Sequence, residues 1–227
     1  DWSERFAQIV AAADAIGLRV WATLHDGSMP RWFDNEGGLD DDEAFTRWWP
    51  RWVELAAEEF GDHVRGWVPF AEIPRDAPPR PWRDTWGILA GVHPVVASLG
   101  PDDASFERYT DNLDVLGLVL PADWDRDGSV GDRELDLASE RWGRRLRDAA
   151  DAVDAPVLVS KFCPCHDDAV TASGIVGRLI ESLDDAIADG VGVDACFLEP
   201  AISAPDSPVG LLDGDRARTP AAERYVA

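Results

Sequence analysis

The sequence predicts an α/β protein of the TIM, or (β/α)8, barrel type, and three observations predict it. Segments of strand character alternate with segments of helical periodicity along all 227 residues. The strand segments are runs of Val, Leu and Ala with little polar alternation, as parallel strands buried on both faces require. Polar residues stand at the C-terminal ends of several strands (His25-Asp26, Glu72, Lys161 and Glu199), where such a barrel carries its chemistry. A doubly wound sheet would instead put a Gly-rich phosphate turn after an early strand, and Thr23-Leu-His-Asp-Gly-Ser28 is not one.

Each element has its own local reason. Over 3–16, Phe6, Ile9, Val10, Ala13 and Ile16 recur at helical spacing and Gly17 supplies the stop. A strand follows over 18–24. The next helix, 41–60, carries Trp48, Trp49, Trp52 and Leu55 and closes at Gly61. A strand over 64–70 runs into Ala71-Glu72, then a Pro/Arg-rich loop over 73–81. A short helix at 82–90, a short strand at 94–98, a helix at 104–112 and a strand at 113–120 come next. The acidic loop 123–134 precedes a long helix over 135–153, the strand 156–161, a helix over 175–189 and the strand 193–198. The tail, 209–225, ends in a helix. This makes about six βα units in a single domain over 1–227, against the eight of a closed barrel. The chain opens inside a helix without a starting Met, and two further units are expected to precede it.

Composition narrows the partners. The chain has 21 Lys+Arg against 44 Asp+Glu, a formal charge of −23. Such a surface repels nucleic acid and anionic lipid, which sets both aside. No window approaches the ~18 apolar residues of a membrane span. There are 31 Asp but 13 Glu, and 20 Arg but a single Lys, Lys161. Asp-rich, Lys-poor composition is what a halophilic cytoplasm selects, because salt screens the self-repulsion of the folded state. With no secretory leader visible and three Cys (163, 165, 196) that make no disulfide framework, a cytoplasmic location is expected. Nothing in the sequence fixes an oligomeric state.

Several segments are familiar in order. Thr23-Leu-His-Asp-Gly-Ser-Met-Pro-Arg-Trp32, followed by Gly37-Gly38, resembles the TLHHWDLPQW…GGW segment of glycoside hydrolase family 1, the β-glucosidase family. The run 60–73, FGDHVRGWVPFAEI, resembles FGDRVKHWITLNEP, and Asp114-Val-Leu-Gly-Leu118 resembles the DFLGIN strand. Pro156-Val-Leu-Val-Ser-Lys161 lies where the family reads PLYITE, and Val209-Gly-Leu-Leu-Asp213, Arg218-Thr-Pro220 and Tyr225 resemble its closing segment. The resemblance implies a (β/α)8 barrel, a small β-glycoside as ligand, and hydrolysis with retention through two Glu at strand ends. By the same resemblance, Glu72 takes the acid/base position and Lys161 the nucleophile position. Asp26 and Gly27 replace a sugar-contacting His and Trp, Ala71 replaces the Asn before the acid/base, and Glu199 replaces a Trp on the last strand. The family's scaffold is kept and much of its sugar site is not.

The candidate catalytic residues are therefore Glu72, Lys161 and Glu199, and the candidate sugar contacts His25, Asp26 and Trp32. Lys161 cannot form a glycosyl ester. Facing Glu72, its ammonium is expected to pair with that carboxylate and keep it ionised. Glu199 and Asp26 are carboxylates from which an inverting pair with Glu72 would be rebuilt, or they balance Lys161. Two alternatives stand beside an active glycosidase. One is a catalytically inactive carbohydrate-binding or structural barrel. The other is a Schiff-base lyase using Lys161 as a desolvated amine.

The loop 123–134, DWDRDGSVGDRE, fits the DxDxDGx5E calcium pattern. Asp123, Asp125 and Asp127 would give carboxylate oxygens, Ser129 a backbone carbonyl and Glu134 a bidentate pair, with Gly128 at the turn. A strand precedes it, so it would be an isolated loop rather than an EF-hand; the alternative is a solvated acidic loop. Cys163-Pro-Cys165-His166 with Cys196 matches no standard zinc spacing.

Overall fold

The computed structural model describes residues 2–73, 79–91, 93–122, 124–125, 127–199, 211–212 and 215–226. They fall into two compact units, one of 1–99 with 107–116 and one of 100–106 with 117–227.

The first unit opens with helix α1, Trp2–Ala15. Val10 is buried and Phe6 meets Phe60 edge-on at 4.4 Å. Ile9 and Ile16, expected on the packed face, are 65% and 74% exposed, so the apolar stripe of α1 is only partly used. Strand β1, Trp21–His25, pairs in parallel with β2, Gly66–Phe70, in the register Trp21↔Gly66 to His25↔Phe70. Gly66 is needed there: a Cβ would sit 2.3 Å from the Trp21 ring and 2.8 Å from the Pro94 carbonyl. Isolated parallel bridges, Trp67↔Val95 and Ile73↔Leu99, carry β2 onto β3, Val96–Leu99. Between β1 and β2 lie a five-residue helix α2, Arg31–Asn35, and α3, Asp42–Phe60. The periodicity reading misses α2, which is too short to show a period; its Phe33 is buried. In α3, Phe45, Trp49, Val53, Ala56 and Phe60 are buried at three- and four-residue spacing, while Leu55 is 47% exposed. Helix α4, Pro79–Leu89, follows.

Asp41 caps α3. Its Oδ1 accepts from the Glu43 and Ala44 N–H groups at 3.0 and 2.8 Å. Asp41→Ala is expected to cost about 1 kcal/mol, lowering Tm by about 2–4 °C in a thermal melt, with Asp41→Ser restoring most of it. An unchanged melt would mean that the cap carries no net stability.

In the second unit, β4, Val115–Val119, is the strand at which the two units divide. Strand β5, Val157–Phe162, pairs in parallel with β6, Val193–Leu198, and the four-stranded order is β3-β4-β5-β6. Consecutive parallel neighbours require a crossover between each pair. Helix α5, Asp132–Ala152, and α6, Ala169–Ala188, are two of these; α7, Pro220–Val226, packs on α6 through Ala221 against Ala172 and Val176. Helix α6 starts six residues before the expected 175, because Asp168 caps it by accepting from Thr171 N–H at 2.7 Å. The segment expected as a helix over 104–112 is instead a 3-10 helix, Phe106–Asn112. Trp142 is fully buried, meets Phe162 edge-on at 5.0 Å and donates its indole N–H to the Pro121 carbonyl at 2.8 Å.

Cys163 and Cys165 are joined as a disulfide, a bond that the Cys count gave no reason to expect. Cys196 is a free thiol, and burial pushes it up to about 12. Among the described residues, no helix is long and apolar enough to cross a membrane.

Candidate functional site

Each unit places its candidate residues by backbone pairing at strand C-termini. In the first, Ala71 N–H donates to the His25 carbonyl at 2.8 Å. The buried Ser98 donates its hydroxyl to the Ala71 carbonyl at 2.6 Å and accepts Ile73 N–H on its own carbonyl at 2.8 Å. The residues on either side of Glu72 are thus pinned to β1 and β3, and the Glu72 side chain is exposed. The structure therefore holds His25 and the Glu72 backbone at neighbouring strand ends.

His25 stands beside the stacked pair of Trp49 and Phe70, whose rings are 4.8 Å apart, at ring distances of 6.3 and 6.1 Å from them. Burial lowers its pKa, with Asp26 opposing that shift. Its Nε2 is buried and has no hydrogen-bond partner among the described residues. Asp26 is exposed and turned back on its own loop, its Oδ1 accepting from Ser28 N–H at 3.0 Å and Ser28 Oγ–H at 2.5 Å. Those bonds hold its pKa below the ordinary carboxylate value, the Ser28 hydroxyl contributing most. Trp32 is 53% exposed and meets Trp48 edge-on at 5.2 Å. His25, Trp32, Met29, Trp48, Trp49 and Trp52 line a cavity of about 180 Å³. The three Trp on α3 have no sugar-site role in the sequence reading, because their spacing reads as the packed face of a helix.

In the second unit, Leu120 N–H donates to the Lys161 carbonyl at 3.1 Å and Glu199 N–H to the Phe162 carbonyl at 2.8 Å. This aligns the ends of β4, β5 and β6. Lys161 Nζ pairs with Glu199 Oε2 at 3.1 Å, both side chains being about half exposed. The partner that the structure gives Lys161 is thus Glu199, where the sequence led us to expect Glu72; strand pairing sets residues 161 and 199 side by side. In the open, such a pair is worth roughly 0–1 kcal/mol.

The acidic loop divides differently from its motif. Asp123 lies outside the described residues. Asp125 and Asp127 are exposed, and Gly128 N–H donates to the Asp125 carbonyl at 3.1 Å. Glu134 Oε2 accepts Gly131 N–H at 2.9 Å, closing the first turn of α5, so this carboxylate serves a helix end. The Gly128 carbonyl meets His166 Nε2 at 2.7 Å, tying the loop to the segment after β5. Among the described residues, no three His, Cys, Asp or Glu side chains gather into a metal-holding group. Trp124, Ser129, Glu134, Arg141 and Arg144 line an open hollow of about 600 Å³ beside the loop.

Parallel strands in sequential order, crossover helices and polar strand ends define an α/β fold of the TIM-barrel type, with six strands among the described residues. The solved structures bear this out at the level of fold. The chain is similar to a β-glucosidase called 1317 (TM-score 0.73, 16% identity, 99% of this chain and 76% of that one). It is similar to a β-glycosidase from Pyrococcus horikoshii (TM-score 0.73, 14% identity, 99% and 74%). It is also similar to a β-glucosidase from Thermotoga maritima in complex with deoxynojirimycin (TM-score 0.75, 12% identity, 99% and 76%). No protein-family model and no curated protein matches the chain.

Proposed function

We propose that this protein is a glycosidase-type barrel of carbohydrate metabolism that takes small β-glycosides, and that the ordinary retaining hydrolysis does not run in it. The observation that carries the reading is the Lys161–Glu199 ion pair. Retention needs a second carboxylate as nucleophile. At the position where the family resemblance calls for it stands an ammonium, committed to a neighbouring strand end. The ligand class is supported by the fold, since barrels of this kind have been seen with deoxynojirimycin and castanospermine. In this reading Glu72 is the surviving carboxylate, and His25, Asp26 and Trp32 are ligand contacts. The deciding experiment is nitrophenol release from an aryl β-glucoside by wild type, Lys161→Glu and Glu72→Gln.

An active enzyme with a rebuilt inverting pair, Glu72 with Asp26 or Glu199, is the second reading; the Ala71 N–H bond to the His25 carbonyl, which sets the backbones of residues 26 and 72 at neighbouring strand ends, favours the Asp26 pairing. The Schiff-base reading has less support, because a nucleophilic amine must be free and desolvated, and Lys161 is paired and 43% exposed. Borohydride trapping of a carbonyl ligand on Lys161 would establish it.

The wider setting is proposed on the resemblance and on composition: the resemblance gives one family 1-like domain over 1–227, degenerate at its sugar site, and the composition gives the cytoplasm of a halophile. Calcium at Asp123, Asp125, Asp127, Ser129 and Glu134 is proposed on spacing alone, and Glu134 would have to release Gly131 N–H to bind it. Addition of calcium at a hundredfold excess over its dissociation constant should then raise stability by about 2.7 kcal/mol, and a chelator should reverse it. Asp125→Ala should abolish the response, read at the lowest ionic strength the fold tolerates. Identical responses from wild type and variant would leave an ordinary acidic loop.

A further inference from the structure

The segment after β5, Cys163-Pro164-Cys165-His166, has no part in the glycoside reading, and it holds the disulfide. The bond is not what keeps the segment in place. Ahead of it, the Lys161 and Phe162 carbonyls accept from Leu120 and Glu199 N–H. Behind it, the buried His166 donates from Nε2 to the Gly128 carbonyl at 2.7 Å and accepts Asp168 N–H on Nδ1 at 3.0 Å. As a cross-link the disulfide also gains little. It closes a loop around one residue, and so short a loop has little entropy to lose in the unfolded chain.

Other features fit a bond that opens and closes. Cys165 stands at φ +33°, in the left-handed region that non-glycine residues rarely enter, so opening the ring relieves backbone strain. Both cysteines are partly exposed, which lets an outside thiolate reach them. Strained and exposed disulfides are the labile ones. The two Cα atoms are 5.0 Å apart across the buried Pro164, whose ring stiffens the spacer. The second cysteine therefore stays beside the first, and a mixed disulfide is resolved rather than trapped. Cys196 does not compete, because burial pushes its pKa up to about 12 and leaves almost no thiolate.

We propose that Cys163 and Cys165 are a reversible dithiol–disulfide couple that exchanges with small-molecule thiols, and that its state is felt at Trp124. A thiolate RS⁻ attacks one Sγ, the S–S bond breaks and the other cysteine leaves as a thiolate. A second RS⁻ attacks the R sulfur of the mixed disulfide and expels the first cysteine. The cysteines gain two electrons and two protons while two RSH become RSSR, and oxidation runs the same steps backwards. His166 is an anchor in this exchange and not a base, since both its ring nitrogens are engaged. The Pro164 carbonyl belongs to the peptide that turns with the Cys165 φ angle, and it accepts the Trp124 indole N–H at 3.3 Å. His166 holds the downstream side, so this peptide is the one that shifts. The couple stands apart from the glycoside reading. In the proposed cytoplasm, an exchanging disulfide is the kind expected.

Thiol trapping on the folded full chain in molar KCl tests it. Free thiols are alkylated after incubation in mixtures of reduced and oxidised glutathione. Trypsin then frees the peptide 162–178, which holds Cys163 and Cys165 but not Cys196. With oxidised glutathione this peptide should carry no label. With about 5 mM reduced glutathione, which leaves ordinary structural disulfides closed, most copies should carry two labels, and reoxidation should erase them. Cys196 should stay unlabelled until the chain is unfolded. Reduction should change Tm by less than about 3 °C. The Trp124 indole N–H cross-peak, assigned with Trp124→Phe, should move between the two states, while that of Trp49, bonded to Thr85, should not. Should Trp124→Phe fail to fold, the wild-type spectra decide: a set of indole peaks unchanged by reduction overturns the proposal. Two free thiols under oxidised glutathione, a lone glutathione adduct in place of the ring, or a bond that resists reduction until the chain unfolds would each overturn it as well.

Discussion

Wild-type protein incubated with a nitrophenyl β-glucoside in molar salt should release nitrophenol no faster than buffer does. Working glycosidases exceed the uncatalysed rate by a factor of at least about 10⁶, so the difference is easily read. On the proposed reading the retaining route fails at its first step, because Lys161 stands where the family resemblance calls for the nucleophile. An amine cannot form the glycosyl ester, and this one is held 3.1 Å from Glu199. Lys161→Glu supplies the missing carboxylate and sets it against Glu199. Two carboxylates that close cannot both ionise freely, so the pair titrates in two steps with one pKa raised. On the same reading the rescued rate should still be small, within about 10²-fold of background, because Ala71, Asp26, Gly27 and Glu199 stand where the resemblance calls for other residues, so transition-state binding stays weak. Glu72→Gln on top of Lys161→Glu should remove even that. Robust turnover by wild type, abolished by Glu72→Gln, would overturn the inactive reading and favour a rebuilt pair. The stereochemistry of the product would then say whether water or the protein attacks.

Raising KCl from dilute buffer to molar levels should stabilise the fold steeply. The charge of −23 repels itself. Smeared at the radius of about 20 Å that a compact chain of this length would have, it stores on the order of 18 kcal/mol at 0.1 M salt and about 7 at 1 M. The unfolded chain, larger and already screened, changes by only about 2 kcal/mol over the same range. The net gain is several kcal/mol once local pairing with Arg is allowed for, which for this length raises Tm by on the order of 10 °C or more. A melting temperature flat between 0.1 and 1 M, set about one decade apart, would remove the halophilic reading. An equal rise with potassium sulfate and with chloride at matched ionic strength would identify screening as the cause. A much larger rise with sulfate would point to burial strengthened by an excluded salt.

The strands were legible in the sequence because burial on both faces leaves a continuous apolar run, and Val115–Val119 and Val96–Leu99 are buried throughout. The long helices were legible because their packed faces repeat at three and four residues, as Leu135, Ala138, Trp142, Leu146 and Ala149 do in α5. Gly17 and Gly61 marked ends for the same local reason. Short-range patterns failed where stability comes from elsewhere. The helix Arg31–Asn35 has too few residues for a period, and the stripe of α1 could not reveal that Ile9 and Ile16 face outward. The start of α6 was misread because its apolar run begins after the Asp168–Thr171 cap that founds the helix.

The sequence by itself determined the α/β alternation, the placing of His25, Glu72, Lys161 and Glu199 at strand ends, and a formal charge of −23. All of these are properties of single residues or short windows. The tertiary structure decided which of those residues meet. Lys161 finds Glu199 because parallel pairing aligns two strands separated by a helix, and no local pattern encodes that register. Among the described residues His25 Nε2 is buried without a hydrogen-bond partner, because α3 and β2 bring the Trp49 and Phe70 rings against that imidazole. Partnership depends on the distance between segments remote in the chain, which packing fixes and composition does not.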